Sequence, residues 1–232
     1  MAILDKYTNS KKLYVAVDCI IFGFEDDKLR LLLTKRMFDP CKGCWSLMGG
    51  FVQEDENLDD AASRVLERLT GLTDVYLEQL YAYGDTDRDP GGRVISVAYY
   101  ALICTQKLDK DAEDKYLAKW FPVDTYPSLV FDHLEMVDKA MKRLRRKSLI
   151  QPVGFELLSE KFTLTQLQKL YEAIHQRKLD KRNFRKQILS MDVLTRLEEK
   201  DKVNSKRGAW LYRFDKEKYD SLLESGEHFV MK

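Results

Sequence analysis

Long apolar runs, proline and cysteine are all scarce in this chain, and each scarcity closes a class of answers. The longest apolar run, Cys19–Phe24, includes a glycine and is far shorter than the roughly 20 residues that span a bilayer, so no membrane partner is expected. The opening MAILDKYTNSKK has no apolar core of the kind a secretion signal needs. With 5 Pro and 11 Gly in 232 residues, collagen-like, mucin-like and long disordered architectures are excluded. Four Cys, two of them inside strand-like apolar stretches, are too few for a disulfide scaffold and read as reduced thiols of a cytoplasmic protein. Cys41-Lys42-Gly43-Cys44 is a single CxxC. No second cysteine pair or well-spaced histidine completes a zinc site around it, and the thioredoxin-like context of a redox motif is missing, so it reads as a loop. His133 reads either as the start of the late helix near the cleft or, the commoner case, as a surface or capping residue, and His175 and His228 read as surface residues.

An excess of either charge is also missing, the net being +1, but the balance hides a segregation. Residues 1–150 carry 22 basic and 25 acidic side chains, a net of −3, and residues 151–232 carry 17 and 13, a net of +4. Within 177–213 the count is 12 against 5. A basic stretch of this kind is either a solvated helical face or a nucleic-acid footprint. Apolar residues, at 44%, suffice for a core without staples.

Hydrophobic periodicity sets the elements. Residues 12–24 and 29–35 read as strands, 38–43 as a loop, and 45–48 as a short extended run into Gly49-Gly50. Leu58, Ala61, Ala62, Val65, Leu66 and Leu69 have helical spacing, with Gly71 as the C-cap. Residues 75–83 and 94–103 read as strands around the turn-rich GDTDRDPGG, 119–122 as a short strand and 134–145 as a helix. The second half restarts with Thr163 and Gln166 in a capping-box pattern. The stripe of Leu164, Leu167, Leu170, Tyr171 and Ile174 follows. Asp180 caps a second helix, with Leu179 and Phe184 as its hydrophobic staple. Residues 194–197 and 209–214 read as a strand pair around the polar tip DKVNSKRG. The expected fold is α+β, divided into a first domain over 1–147, a linker over 148–154 and a second domain over 155–232.

Residues 49–72, GGFVQEDENLDDAASRVLERLTGL, resemble the Nudix box G-x5-E-x7-R-E-U-x-E-E-x-G-U. Gly50, Glu56, Arg64, Leu66, Gly71 and Leu72 match at the required spacing, and Trp45–Gly50 resembles the family's W-x-L-P-G-G approach with Met48 in place of proline. The resemblance implies a Nudix-like α/β/α sandwich with a mixed sheet over roughly residues 12–147. In Nudix hydrolases the three glutamates of R-E-U-x-E-E share one helix face at i, i+3 and i+4 and bind the metals that activate water. Here those positions are Val65, Arg68 and Leu69, so no catalytic residue, metal ligand or cofactor is expected. Glu54, Asp55, Glu56, Asp59 and Asp60 read as acidic residues favourable at a helix N-terminus. The enzymatic alternative is a pyrophosphohydrolase on ADP-ribose-like substrates that has displaced its metal site.

Residues 155–215 resemble a winged helix-turn-helix, whose second helix enters the major groove. Lys181, Arg182, Asn183, Arg185 and Lys186 start that helix, where arginine suits guanine and asparagine suits adenine. Lys206 and Arg207 at the hairpin tip suit phosphates. Taken alone, the basic helix fits a solvated accessory domain equally well. A Nudix-like half followed by such a module resembles the Nudix-related transcriptional regulators, over about Tyr14–Phe214. The resemblance implies a cytoplasmic homodimer that binds a palindromic double-stranded operator and changes grip when a small molecule fills the Nudix-like cleft. Some members answer to ADP-ribose and others to a free pentose. DCIIFGF, WSLMGGFVQ and DRDPGGRVISVAYYAL look nearest the arabinose-responsive members, so a sugar such as L-arabinose is expected ahead of ADP-ribose. By analogy Arg36, Trp45, Asp85, Arg88 and Arg93 flank the cleft. Asp18, in an apolar strand, either pairs with Arg93 or Arg36 or faces the ligand, because a buried carboxylate needs a partner.

Overall fold

In a computed structural model, described over residues 10–73, 75–107, 117–203 and 208–224, the expected order of elements is present. Strands β1 (Tyr14–Glu25) and β2 (Lys28–Lys35) form a hairpin, followed by the short β3 (Trp45–Ser46) and β4 (Met48–Phe51). Helix α1 (Leu58–Thr70), β5 (Tyr76–Tyr83), β6 (Val94–Leu102), β7 (Ala118–Pro122) and helix α2 (His133–Ile150) complete the first half. The strands make one mixed sheet in the order β3-β2-β1-β6-β5, with β4 pairing β1 and β7 pairing β2. β1 and β6 run parallel at its centre.

Side chains alternate across a strand, and β1 is buried on both faces. Val17, Cys19 and Ile21 pack with Ala61, Ala62, Val65 and Leu66 of α1. Ile20 and Phe22 share the opposite face with Met136, Val137, Ala140 and Leu144 of α2. The result is the α/β/α sandwich the sequence led us to expect. Parity also fixes Asp18, which lies on the α2 side with Ile20, facing the start of that helix.

Helix α2 runs five residues beyond the expected end. Ser148 is fully buried, its hydroxyl donates to the Arg145 carbonyl at 2.9 Å, and it lies 2.9 Å from His175 Nε2. Residues 148–150, expected in the linker, are therefore the last helical turn, and Pro152 follows just past its end. The second half contains β8 (Phe162–Thr163), α3 (Leu164–His175), α4 (Lys181–Ser190), β9 (Leu194–Asp201), β10 (Ala209–Phe214) and α5 (Lys216–Glu224). A three-stranded sheet in the order β8-β10-β9 closes the winged helix. Its α3 stripe joins the same apolar cluster as α2 and the sheet. Across that contact Lys169 pairs with Asp27 at 2.5 Å, and Arg145 donates to the Ile174 carbonyl at 2.9 Å. Among the described residues no helix is long and apolar enough to cross a membrane.

Candidate functional site

The Nudix-box residues are held by local chemistry that needs no metal. Asn57 caps α1 by accepting from the Asp60 amide at 2.9 Å. Gly71 ends the helix at φ +71, its amide donating to the Glu67 carbonyl, a left-handed cap that suits glycine. Glu56 accepts from the Gln53 amide at 2.8 Å and from Arg64 at 2.7 and 2.5 Å, while Arg64 also reaches the Phe51 carbonyl at 3.0 Å. The Arg64 hydrogen bond holds the Glu56 carboxyl below its ordinary pKa. These residues therefore clamp the β4–α1 loop onto the helix.

Beside this clamp lies a cavity of about 620 Å³, within the usual range for small-molecule sites of roughly 300–1,000 Å³. It opens between β1, β4, the loop after β2 and the N-terminus of α2. Tyr14 and Phe51, both largely exposed, stand at its rim with ring centroids 5.5 Å apart. Arg36 donates from Nε to the Pro40 carbonyl at 2.8 Å and lays its guanidinium over Phe38 and Phe131, at 4.6 and 4.9 Å. Arg68 also lines the cavity. Val65, one turn earlier on α1, is fully buried in the core. A Cβ on Gly50 would stand 3.0 Å from its Cγ2, so valine fills space directly against the glycine of the box. A divalent-metal site does not fit this arrangement. Position 65 is a packed hydrocarbon and position 68 a cation, and among the described residues no group of three or more His, Cys, Asp or Glu is placed to hold a metal ion. The Leu69 side chain lies outside the described set.

The cavity floor is a buried polar cluster. Asp18 accepts from Ser96 Oγ at 2.5 Å, and Arg88 lies 3.7 Å away while making a two-pronged bond to Asp132 at 2.7 and 2.7 Å. His133, which opens α2, accepts at Nδ1 from the Leu47 amide at 3.1 Å, which leaves Nε2 as the protonated nitrogen facing Asp18 Oδ1 at 3.7 Å. Gly49 is required here, because a Cβ on it would lie 2.3 Å from Asp18 Oδ1 and 3.0 Å from the Val17 carbonyl. Burial holds His133 below its ordinary value of 6.5, with Arg88 and Arg36 adding to the depression and Asp18 and Asp132 opposing it.

A neutral buried histidine has a thermodynamic consequence. As pH falls below 6.5 the unfolded chain takes up a proton that the folded chain does not, so this contribution, complete above 6.5, is lost toward the lowered folded value. The melting temperature is expected to fall between neutral pH and about pH 5, and less steeply in His133→Gln. Parallel slopes for the two proteins in a melting series would mean that His133 titrates freely.

Of the six expected cleft residues, Asp18, Arg36 and Arg88 line the cavity. Trp45, Asp85 and Arg93 do not. Trp45 alternates along β3 with the cavity-lining Ser46, so it faces away and packs edge-on against Phe121 at 4.9 Å. Arg93 donates to the carbonyls of Gly84 and Asp85 at 2.8 and 3.0 Å, tying its own loop together. Asp85 is exposed beside it. The partner of Asp18 is accordingly Arg88 with Ser96, not Arg93 or Arg36. His133, whose commoner reading is a surface or capping residue, instead starts α2 beside the cavity and is 2% exposed. His175 is half-buried against Ser148, and His228 lies outside the described residues.

In the winged helix, Thr163 and Gln166 form the reciprocal capping box and Asp180 caps α4 through the Asn183 amide at 2.7 Å. Phe184 and Ile188 are buried, which leaves Lys181, Arg182, Asn183 and Lys186 exposed along one helix. Arg185 is half-buried and its guanidinium reaches Thr165 of α3 at 3.4 Å. On the wing, Arg196 and Lys200 lie over the Trp210 ring at 4.8 and 4.3 Å, a basic-aromatic face that the sequence reading passed over. Lys206 and Arg207 lie outside the described residues.

Two family models match the chain, the NUDIX domain over residues 12–142 and the NrtR DNA-binding winged helix domain over 154–214. The chain is 34% identical over 210 residues to the ADPR responsive transcriptional repressor NtrR of Acinetobacter baylyi, covering 89% of this chain and 84% of that protein. It is 38% identical over 128 residues to the ADP-ribose pyrophosphatase of Methanocaldococcus jannaschii, covering 55% of this chain and 73% of that one. The crystal structure of Shewanella oneidensis NrtR complexed with a 27mer DNA matches with a TM-score of 0.84 at 30% identity, covering 94% of this chain and 99% of that one. The NUDIX domain of the same Shewanella protein, complexed with ADP ribose, matches at a TM-score of 0.51 and 32% identity over 62% of this chain and 99% of that one. These relatives overturn the expectation of a sugar ahead of ADP-ribose and of an arabinose-responsive affinity, since the effector in their names is ADP-ribose. The chain belongs to the NrtR-type family of DNA-binding transcriptional regulators, in which a NUDIX ligand-sensing domain precedes a winged helix.

Proposed function

We propose that this regulator senses ADP-ribose in the cavity without hydrolysing it, and that it holds a palindromic operator as a homodimer through α4 and the wing. The observation that carries the reading is Arg68 lining the cavity at a position where Nudix hydrolases keep a metal-binding glutamate. A cation there serves an anionic ligand held intact; it does not serve metal-activated water. Arg36 adds a second cation, and the rim rings of Tyr14 and Phe51 offer apolar faces. A diphosphate-bearing nucleoside uses both kinds of group, whereas a neutral pentose leaves the cations without counter-charge. We keep the division into a sensor and a DNA-binding unit over 155–232, with the sensor's last helix running to Ile150 and the connection reduced to 151–154, and with Asp18, Arg36 and Arg88 at the sensor site. Lys181, Arg182, Asn183, Arg185, Lys186, Lys206 and Arg207 remain the proposed DNA-contacting set.

The test pairs two measurements on the full chain. ADP-ribose is expected to release the protein from operator DNA, and hydrolysis of ADP-ribose in Mg²⁺ or Mn²⁺ is expected to stay at background. Robust metal-dependent turnover would sink the reading. Within the DNA interface, Arg182→Ala is expected to weaken operator binding by about 1–3 kcal/mol and relax specificity at one position. Lys186→Ala is expected to weaken all sequences similarly and to lower the salt slope by about 0.9 for each phosphate that loses its cation, counted twice in a dimer. Fluorescence anisotropy at several salt concentrations reads both. Parental behaviour of both variants would place the recognition face elsewhere.

A further inference from the structure

The loop after β2, whose residues 36–40 line the cavity, ends in a pair of thiols that the sensing function does not use. Cys41 and Cys44 are free and exposed, whereas Cys19 and Cys104 are free and buried. The exposed pair occupies the two ends of a turn, closed by the Cys44 amide donating to the Cys41 carbonyl at 3.1 Å. Gly43 has φ +83, the positive value that the third residue of a type II turn requires. Such a turn keeps its end Cα atoms within about 7 Å, and a disulfide needs about 4.4–6.8 Å. Cys41 itself sits at φ +64, a left-handed conformation that a side chain other than glycine adopts at some cost.

This turn positions a cavity residue. The Arg36 amide donates to the Cys44 carbonyl at 3.0 Å, and the Gly43 amide returns a bond to the Arg36 carbonyl at 2.8 Å. The Arg36 side chain is held by the carbonyl of Pro40, immediately before Cys41, at 2.8 Å. Met37, Phe38, Asp39 and Pro40, between Arg36 and the turn, all line the cavity.

We infer that Cys41 and Cys44 form a reversible disulfide across this turn, a modification site that locks the cavity loop and Arg36 in place. A small-molecule disulfide such as oxidised glutathione is the oxidant. The Cys41 thiolate attacks one of its sulfurs and expels a glutathione thiolate. The Cys44 thiolate then attacks the Cys41 sulfur of the mixed disulfide and expels the second. The two cysteines lose two electrons and two protons, and the glutathione disulfide accepts them. Burial pushes the Cys19 thiol far up from its ordinary range, so it stays protonated and acts as an internal control. The lock acts on the loop in the conformation that presents Arg36 to the cavity, so the oxidised chain binds anionic ligand more tightly. By reciprocity the ligand then stabilises the disulfide by the same factor.

The experiment incubates the reduced full chain with oxidised glutathione at neutral pH and digests it with trypsin. Arg36, Lys42 and Arg64 place cleavage sites so that the disulfide joins peptide 37–42 to peptide 43–64. That linked pair is expected in the parent and absent from Cys41→Ser and Cys44→Ser. Glutathione adducts without it, or no reaction, overturn the proposal. Hydrogen exchange at the Arg36 and Gly43 amides is expected to slow on oxidation, and ADP-ribose affinity, which rests on the proposed function, to rise roughly fivefold or more. Unchanged exchange refutes the lock whatever the ligand does. Equal affinity in the two redox forms refutes its effect on sensing. Binding to neither form, with exchange still slowed, removes ADP-ribose as the ligand and leaves the redox site standing.

Discussion

Arg88→Met is expected to destabilise the folded chain by about 3–5 kcal/mol, the cost of breaking a buried ion cluster from one side. The Arg88 side chain is 4% exposed, and its carboxylate partners Asp18 and Asp132 are 11% and 19% exposed, so solvent screens little of the effect. Methionine keeps most of the volume but leaves two carboxylates without their cation. One neighbour makes the loss worse. Asp18 cannot retreat past Gly49, where its Oδ1 already occupies the place of a Cβ. Urea denaturation monitored by tryptophan fluorescence reads the change as a shifted midpoint at constant slope. Asp18→Asn combined with Arg88→Met is expected to recover part of the loss, because it removes one of the orphaned charges, and the two effects are coupled by contact. A parental midpoint for Arg88→Met alone would show that the cluster does not hold the cavity floor.

That cluster marks the limit of what could be read from the chain. The sandwich was legible because local signals agreed with one another. β1 is a β-branched run, α1 has a clean apolar stripe between Asn57 and Gly71, and the fixed spacing from Gly50 to Leu72 admits few alternatives. The winged helix was legible for the same reason, through two caps and a staple. What failed were questions of partnership across long sequence distances. Arg36, Arg88 and Arg93 carry identical chemistry, and only the fold decides which stands opposite Asp18. His133 could be placed at a helix start near the cleft, but nothing local marked it as buried, since a single histidine there is usually wet. Its role follows from Asp18 sharing parity with Ile20, which aims the carboxylate at the first turn of α2. Trp45 could have been placed by the same rule, because adjacent residues of a strand face opposite ways and Ser46 is the buried one. Strand β8 and helix α5 were not anticipated, because two residues carry no period and KEKYDSLLE offers few apolar positions. The choice of a pentose came from likeness of local strings, whereas the cations at positions 36 and 68 argue for an anion on physical grounds.

Arg68→Glu is expected to weaken ADP-ribose binding by at least 10- to 150-fold, the loss of one charge-assisted hydrogen bond worth about 1.5–3 kcal/mol. Reversal of charge beside a diphosphate adds repulsion to that loss. The parental protein is expected to bind equally well in Mg²⁺ and in a chelator, because its own guanidinium supplies the positive charge. The variant separates two explanations of the arginine. Arg68 occupies the last turn of α1, where any cation interacts favourably with the helix dipole by about 0.3–1 kcal/mol. If that were its whole role, Arg68→Gln and Arg68→Glu would lower the melting temperature slightly and leave affinity for ADP-ribose unchanged. If the ligand's diphosphate is its partner, both variants lose affinity, the glutamate more, while melting without ligand moves little. Hydrolysis is expected to remain at background in Arg68→Glu with Mg²⁺, because position 65 stays a buried valine and position 69 a leucine, and one carboxylate does not hold the metals that activate water. Calorimetric titration of ADP-ribose into parent and both variants, with metal and with chelator, decides between them. Parental affinity that disappears on chelation would return the site to a metal-dependent design and remove Arg68 from it.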